Sequence, residues 1–280
     1  MISEKQRLWL KPRGRGPSRV SKKEEKPPVR PLSLLAPSAG RTRGVGVGSG
    51  IFDDLTHKVI DFAIQLAVIL FAISFHESAH AWSALQFGDT TARDQGRISL
   101  NPLRHIDPFG SVLLPLILYI FSGMIFGAAK PTPVDLRNTR NPRLANLVVS
   151  AAGPVSNLLL AGIGIGLLVF IRRLEPRVMA DLLGTLQGSP FTPGILAPIA
   201  YLLFFFAMVN VSLAVFNLIP IPPLDGSGVA LSLLGPGIQR IYAAIAPFGF
   251  FILILLISTP VLGKLFRPIQ GIVVWLIFGA

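Results

Sequence analysis

The sequence contains no cysteine and few charged residues for its length of 280 residues. The absence of cysteine excludes disulfide bonds and thiolate metal sites, so a zinc site in this chain must use histidine and carboxylate ligands. Charged residues make up 14% of the chain, whereas soluble domains contain about a quarter. Since 51% of the residues are hydrophobic and the mean hydropathy is +0.61, the composition predicts an integral membrane protein that crosses the bilayer several times.

The positive charge is concentrated at the N-terminus. Residues 1–50 hold twelve Lys/Arg and three Glu, which gives a net charge of +9 out of the +12 of the whole chain. This segment is rich in Pro, Gly and Ser, so we expect a disordered basic tail over 1–50, followed by one integral membrane domain over 51–280. The tail could contact anionic lipid headgroups or remain solvated, and no nucleic-acid partner is expected. An organellar transit peptide is an alternative, although the glutamates count against it.

The rest of the chain contains five to six apolar segments. They cover residues 59–87, 109–129, 144–171, 198–218, 238–258 and 261–278. About twenty helical residues cross the hydrocarbon core of a bilayer, so these segments predict an all-α polytopic membrane fold. Residues 174–197 are rich in Gly and Pro and are interpreted as a loop.

The motif H-E-x-x-H lies inside the first apolar segment, at His76, Glu77 and His80. Residues four apart share one face of a helix, so His76 and His80 can hold one metal ion together. Glu77 lies one step around the helix, where it can reach a water on that metal without being a ligand. Ionisable groups inside apolar spans are costly and mark functional sites, so the motif predicts a metal centre.

A catalytic zinc site needs a third protein ligand and keeps a fourth position open. Asp225 is the best candidate, because it follows the prolines at 220, 222 and 223 that end an apolar helix. The alternative role of Asp225 is to cap the next helix. Three residues of the loop between the first two apolar segments are rival ligands: Asp94, His105 and Asp107.

Asn157 is a polar residue inside the third apolar segment, just after Gly153 and Pro154. Its amide could bind a carbonyl of the substrate or the developing oxyanion. It could equally make an interhelical hydrogen bond, as Asn commonly does in membrane helices. Gly153 and Pro154 loosen the helix at this point, which favours a role in the site.

Together these residues resemble the site-2 protease family of intramembrane zinc metalloproteases. The resemblance rests on H-E-S-A-H at 76–80, A-G-P-V-S-N at 152–157 and N-L-I-P-I-P-P-L-D-G at 217–226. The segments 101–110 and 127–134 are similar to the compact bacterial branch, which lacks PDZ and CBS domains. The resemblance covers about residues 55–258. It implies that His76, His80 and Asp225 bind one Zn²⁺, that Glu77 is the general base, and that Asn157 assists the substrate or the transition state.

A shared metal constrains the topology. The first helix must end, the third must begin and the fourth must end at one depth in the membrane, so these three helices form the catalytic core. No segment between the first and the third helix then crosses the membrane. Segment 109–129 is therefore predicted to re-enter the membrane without spanning it. Basic residues near the spans number seven on one side and six on the other, so they do not fix the orientation. The family resemblance implies that the metal lies toward the cytoplasm.

We expect a zinc-dependent intramembrane endopeptidase in the bacterial cell membrane. Its partners would be the lipid bilayer and membrane proteins with a transmembrane helix, while the composition does not indicate an oligomeric state. The alternatives are a non-proteolytic zinc-binding scaffold or chaperone, and a metal transporter. A transporter would carry ionisable groups along a path through the spans. Here these groups cluster at one depth, which argues against transport.

Overall fold

The computed structural model of the protein describes residues 47–122, 127, 130–189 and 194–279. The predicted tail of residues 1–50 lies almost wholly outside the described residues, so its disorder stays a prediction. The described part of the chain is helical and contains no β-strand.

Ten α-helices follow one another along the described chain. They are α1 (Val47–Gln86), α2 (Thr91–Asp94), α3 (Leu114–Ser122), α4 (Pro142–Leu174), α5 (Arg177–Leu186), α6 (Leu196–Asn217), α7 (Asp225–Leu233), α8 (Pro236–Ile245), α9 (Gly249–Ser258) and α10 (Val261–Phe278). Five helical stretches among the described residues are long and apolar enough to cross a membrane: Lys58–Gln86, Pro142–Leu174, Leu196–Asn217, Gly237–Ser258 and Val261–Phe278. The prediction of an all-α polytopic membrane protein is therefore confirmed.

The predicted re-entrant segment begins with a π-helical turn, Pro108–Leu113, which continues into α3. These fifteen helical residues measure roughly 22 Å, which is shorter than the ~30 Å hydrocarbon core. Residues 123–126 and 128–129 lie outside the described residues. The short helix favours a re-entrant element, and its depth in the membrane stays a prediction.

Besides the single turn of α2, two helices were not predicted from the sequence. The interpretation of residues 174–197 as a loop is wrong in part, because α5 forms there and buries Val178, Met179 and Leu182 against α4, α6 and α10. These three residues lie on one face of a two-to-three-turn helix, a pattern that the surrounding Gly and Pro obscure. The second unpredicted helix, α7, starts at Asp225, directly after the proline-rich turn.

Helix α4 packs closely along α6. A side chain at Gly164 would approach the ring of Phe206 to 3.2 Å and the β-carbon of Ala207 to 3.4 Å, so a glycine here lets the two helices come together. Small residues at such crossings are typical of membrane helices, where close van der Waals packing drives association. This packing places the middle of α4 between α1 and α6, and that part of α4 carries Gly153 and Asn157.

Candidate metal centre

Three ligand atoms meet where α1, α4 and the start of α7 come together. The Nε2 atoms of His76 and His80 are 3.1 Å apart, and they lie 3.1 Å and 3.4 Å from Oδ2 of Asp225. Both histidines are buried, and Asp225 is largely covered. The structure therefore brings the three predicted ligands together as a group that could hold one metal ion.

The opposite ring nitrogens show which atoms of the histidines carry protons. Nδ1 of His80 is 2.6 Å from the carbonyl oxygen of Val149, and Nδ1 of His76 is 2.6 Å from Oδ1 of Asn157. Because an oxygen of this kind can only accept, each Nδ1 must donate, and each neutral ring then presents the lone pair of its Nε2 to the centre. Such hydrogen bonds are typical of histidines that bind metals.

The converging atoms are thus all acceptors. The buried Oδ2 of Asp225 has no hydrogen-bond donor among the described residues. Three lone-pair atoms within 3.4 Å of one another repel unless a cation lies between them. Two imidazoles and one carboxylate are the donor set of a catalytic zinc site, so these residues fit Zn²⁺.

Gly153 leaves the space beside these ligands open. A β-carbon built on Gly153 would lie 2.6 Å from Nε2 of His76 and closer still to Nε2 of His80. Any side chain at this position would therefore fill the space in which the two histidines meet a metal. In the sequence, Gly153 indicates only a loosened helix, and its contact with the ligands exists only because α4 packs against α1.

Glu77 is half-buried next to the ligands, and it is fixed by the segment that follows α3. The main-chain N–H of Thr132 donates to Oε2 of Glu77 over 2.8 Å, and the hydroxyl of Thr132 donates to the carbonyl oxygen of Glu77 over 3.1 Å. Thr132 stands between Pro131 and Pro133, which have no N–H, so its amide is the one main-chain donor of this tripeptide. No signal in the sequence indicated this contact.

The same segment is attached to the end of α1 through Asp89, which is fully buried. Oδ2 of Asp89 accepts the main-chain N–H of Asp135 over 2.8 Å, and Oδ1 accepts hydrogen bonds from Thr91 and Asn138. Burial acts to raise the pKa of Asp89, but these hydrogen bonds lower it below its usual value. The charged carboxylate thus holds segment 130–138 in place beside Glu77.

None of the rival third ligands belongs to the group that could hold a metal. His105 is buried, and its Nε2 donates to the carbonyl oxygen of Ser99 over 2.7 Å. Asp107 accepts the main-chain N–H of Gly110 over 2.7 Å. Asp94 is exposed and pairs with its neighbour Arg93. The polar loop between α1 and α3 therefore uses these residues for its own hydrogen bonds.

Asn157 is fully buried, and both ends of its amide are hydrogen-bonded. Its Oδ1 faces His76, and its Nδ2 donates to Oδ1 of Asn210 over 2.8 Å. The interhelical hydrogen bond foreseen as one of two roles is present, while a contact with substrate stays a prediction. Asn210 is also fully buried and was assigned no role from the sequence, although a polar residue in an apolar helix was a signal for one.

Comparison with known proteins agrees with this geometry. The model of peptidase family M50 matches residues 64–256. A protein of Bacillus subtilis (strain 168) named "Putative zinc metalloprotease YwhC" is 40% identical over 195 residues, which cover 69% of this chain and 80% of that protein. "Putative zinc metalloprotease Rip2" of Mycolicibacterium smegmatis is 32% identical over 206 residues, 73% of this chain and 70% of its own length. No solved structure gives a significant match.

The fold and the site define a membrane metalloendopeptidase. The chain belongs to peptidase family M50, the site-2 protease family, which confirms the resemblance predicted from its three motifs. The predicted zinc cofactor is likewise confirmed by the family, by the relatives and by the donor set of the site.

Proposed function

We propose that this metalloprotease is an intramembrane endopeptidase, which hydrolyses a peptide bond within or near a transmembrane helix of a substrate protein. The observation that carries the proposal is the convergence of three acceptor atoms, from His76, His80 and Asp225, inside a bundle of apolar helices. In this proposal the zinc centre lies among helices that cross the membrane, and its substrate shares the bilayer. The substrates are thus membrane proteins, and the bacterial cell membrane is the proposed location.

The chemistry divides between the metal and the side chains around it. Zinc, when bound by His76, His80 and Asp225, lowers the pKa of water toward ~7 and polarises a carbonyl group. Glu77 is the general base in this proposal. Its Oε2 is occupied by the amide of Thr132. Its Oε1 is the atom that takes the proton of the attacking water and passes it to the leaving nitrogen.

The remaining residues of the site keep these groups in position. Asn157 and Val149 hold the two imidazoles through their Nδ1 atoms. The substrate helix must unwind before cleavage, because each carbonyl inside a helix already accepts a hydrogen bond from its own backbone. Hydrolysis therefore requires a locally extended stretch of substrate beside the three ligands.

The proposal is tested by comparing membrane proteomes of cells that carry the native protein or the variant Glu77→Gln. Gln keeps the shape of the side chain and its acceptor for Thr132, so the variant should bind one zinc per chain and cleave nothing. Uncleaved membrane proteins that accumulate only with the variant would be its substrates. Equal amounts of cleaved fragments in both kinds of cell would contradict the role of Glu77, whereas the absence of cleaved fragments from both would favour the zinc-binding scaffold.

A further inference from the structure

We propose that Asn210 is a positioning residue, which acts through Asn157 to fix the tautomer of His76 and so prepares its Nε2 for the metal. The inference rests on the metal centre of the proposed function, but it concerns a residue of α6 whose side chain contacts Asn157 and Phe206 and none of the metal ligands. Asn157 and Asn210, called here the asparagine pair, are both fully buried.

The asparagine pair forms one continuous chain of hydrogen bonds across three helices. It begins on α6, where Nδ2 of Asn210 is 2.8 Å from the carbonyl oxygen of Phe206. It passes to α4 through the 2.8 Å contact between Oδ1 of Asn210 and Nδ2 of Asn157. It ends on α1, where Oδ1 of Asn157 is 2.6 Å from Nδ1 of His76.

The direction of every bond in this chain follows from its first acceptor. A main-chain carbonyl can only accept, so Asn210 must turn its NH₂ group to Phe206 and its oxygen to Asn157. Asn157 must then turn its NH₂ group to Asn210 and its oxygen to His76. The carbonyl oxygen of Ala72, 3.4 Å from Nδ2 of Asn157, favours the same orientation but lies at the limit of hydrogen bonding.

The consequence for His76 is a single tautomer. Facing an oxygen, Nδ1 must carry the proton, which leaves the lone pair of Nε2 free for a metal. If Asn157 were turned around, its NH₂ group would face Nδ1, and the proton of the neutral ring would move to Nε2, the atom that must bind. His80 does not depend on such an orientation, because its Nδ1 faces the main-chain carbonyl of Val149, which cannot turn.

The test measures the affinity of the purified full-length protein for Zn²⁺ by competition with a chromophoric chelator in detergent. The variant Asn210→Leu removes the acceptor that orients Asn157, and loss of such an outer-shell partner lowers metal affinity by about 10–100-fold. Ser212→Leu is the matched control, since it puts the same side chain on α6 outside the asparagine pair. We expect this control to bind zinc as the native protein does.

A second substitution separates orientation from packing. The substitution Asn157→Asp replaces the amide by a carboxylate, in which both terminal atoms are oxygens. This carboxylate accepts the hydrogen bond from His76 Nδ1 whichever way it is turned. The double variant Asn157→Asp/Asn210→Leu should therefore recover zinc affinity to within about threefold of the native value. An affinity of the double variant as low as that of Asn210→Leu would overturn the proposal, and so would native affinity in Asn210→Leu alone.

These readouts are independent of proteolysis. The failure of the asparagine-pair proposal would appear in zinc affinity, while cleavage would still depend on Glu77. The failure of the proposed function would appear as cleavage by Glu77→Gln or as no cleavage at all. In that case the zinc affinities would still differ between the native protein, Asn210→Leu and the double variant as predicted above.

Discussion

Replacement of Gly153 by Ala should remove the metal from this protein without damaging its fold. The β-carbon of the new side chain would stand 2.6 Å from Nε2 of His76, whereas ordinary contacts begin at 3.4 Å. Relief of this overlap requires a displacement of at least about 0.8 Å, because Nε2 of His80 lies closer still, while metal–ligand distances tolerate only about ±0.2 Å. We therefore expect zinc affinity to fall by at least ~100-fold, which corresponds to ~2.7 kcal/mol.

The helix itself should not suffer from this change. Gly in a helix interior is about 1 kcal/mol less favourable than Ala, whereas a β-carbon on the residue before Pro154 disfavours the helical conformation, so these two local effects oppose each other. Gly166→Ala is the matched control, because it lies on the same helix and a β-carbon there meets no atom within 4 Å. This control should bind zinc normally.

The assay combines zinc titration against a chelator with thermal unfolding of the metal-free proteins in detergent. Gly153→Ala should still unfold cooperatively, as the native protein does, while it loses zinc. Native zinc affinity in Gly153→Ala would refute the claim that this glycine opens the space for the metal. A loss of zinc in both variants would refute the reasoning as well, since it would trace the effect to α4 as a whole.

Three further predictions concern the surroundings of the ligands. Asp225→Ala should lose zinc by at least ~100-fold while its apolar spans remain helical by circular dichroism, because it deletes one of three ligands. Thr132→Pro removes the N–H that holds Glu77, so kcat should fall by about 10–100-fold at unchanged zinc content. Thr132→Ala keeps the amide, so its kcat should stay within about threefold of the native value. Equal losses of kcat in both variants would contradict this role. Because the pKa of Asp89 is lowered from 3.8 in the folded protein, its charged carboxylate stabilises the fold at pH values above 3.8. This stabilisation is lost as the pH falls through the lower pKa of the folded state. Chemical denaturation at decreasing pH should show a smaller loss of stability for Asp89→Asn than for the native protein, and parallel curves would exclude the effect.

The sequence was sufficient for the parts of the structure that depend on local pattern. The long apolar runs predicted the membrane helices because length and hydropathy alone decide which segments can span a bilayer. The spacing of four between His76 and His80 predicted a shared face because helix geometry fixes it. Asp225 could be singled out because a carboxylate beside prolines in an apolar region needs a partner.

Other parts depend on tertiary packing and could not be predicted. The contact of Gly153 with the ligand nitrogens exists only because α4 crosses α1 at this residue. The hydrogen bond from Thr132 to Glu77 joins residues 55 positions apart, and nothing in the intervening sequence encodes that distance. Asn210 was visible as a polar residue in an apolar helix, but its partner on α4 was not. Helix α5 was not predicted because its buried apolar face consists of only three residues.

The central claim is that His76, His80 and Asp225 hold one zinc ion, and X-ray absorption at the zinc edge tests it most directly. The purified native protein should contain one zinc per chain, bound by two imidazoles and additional oxygen ligands at about 2.0–2.2 Å. In Asp225→Ala, the zinc that remains bound should keep its two imidazole ligands and lose the carboxylate oxygen of Asp225. A zinc site with fewer than two imidazoles in the native protein, or a spectrum that Asp225→Ala leaves unchanged, would contradict the account.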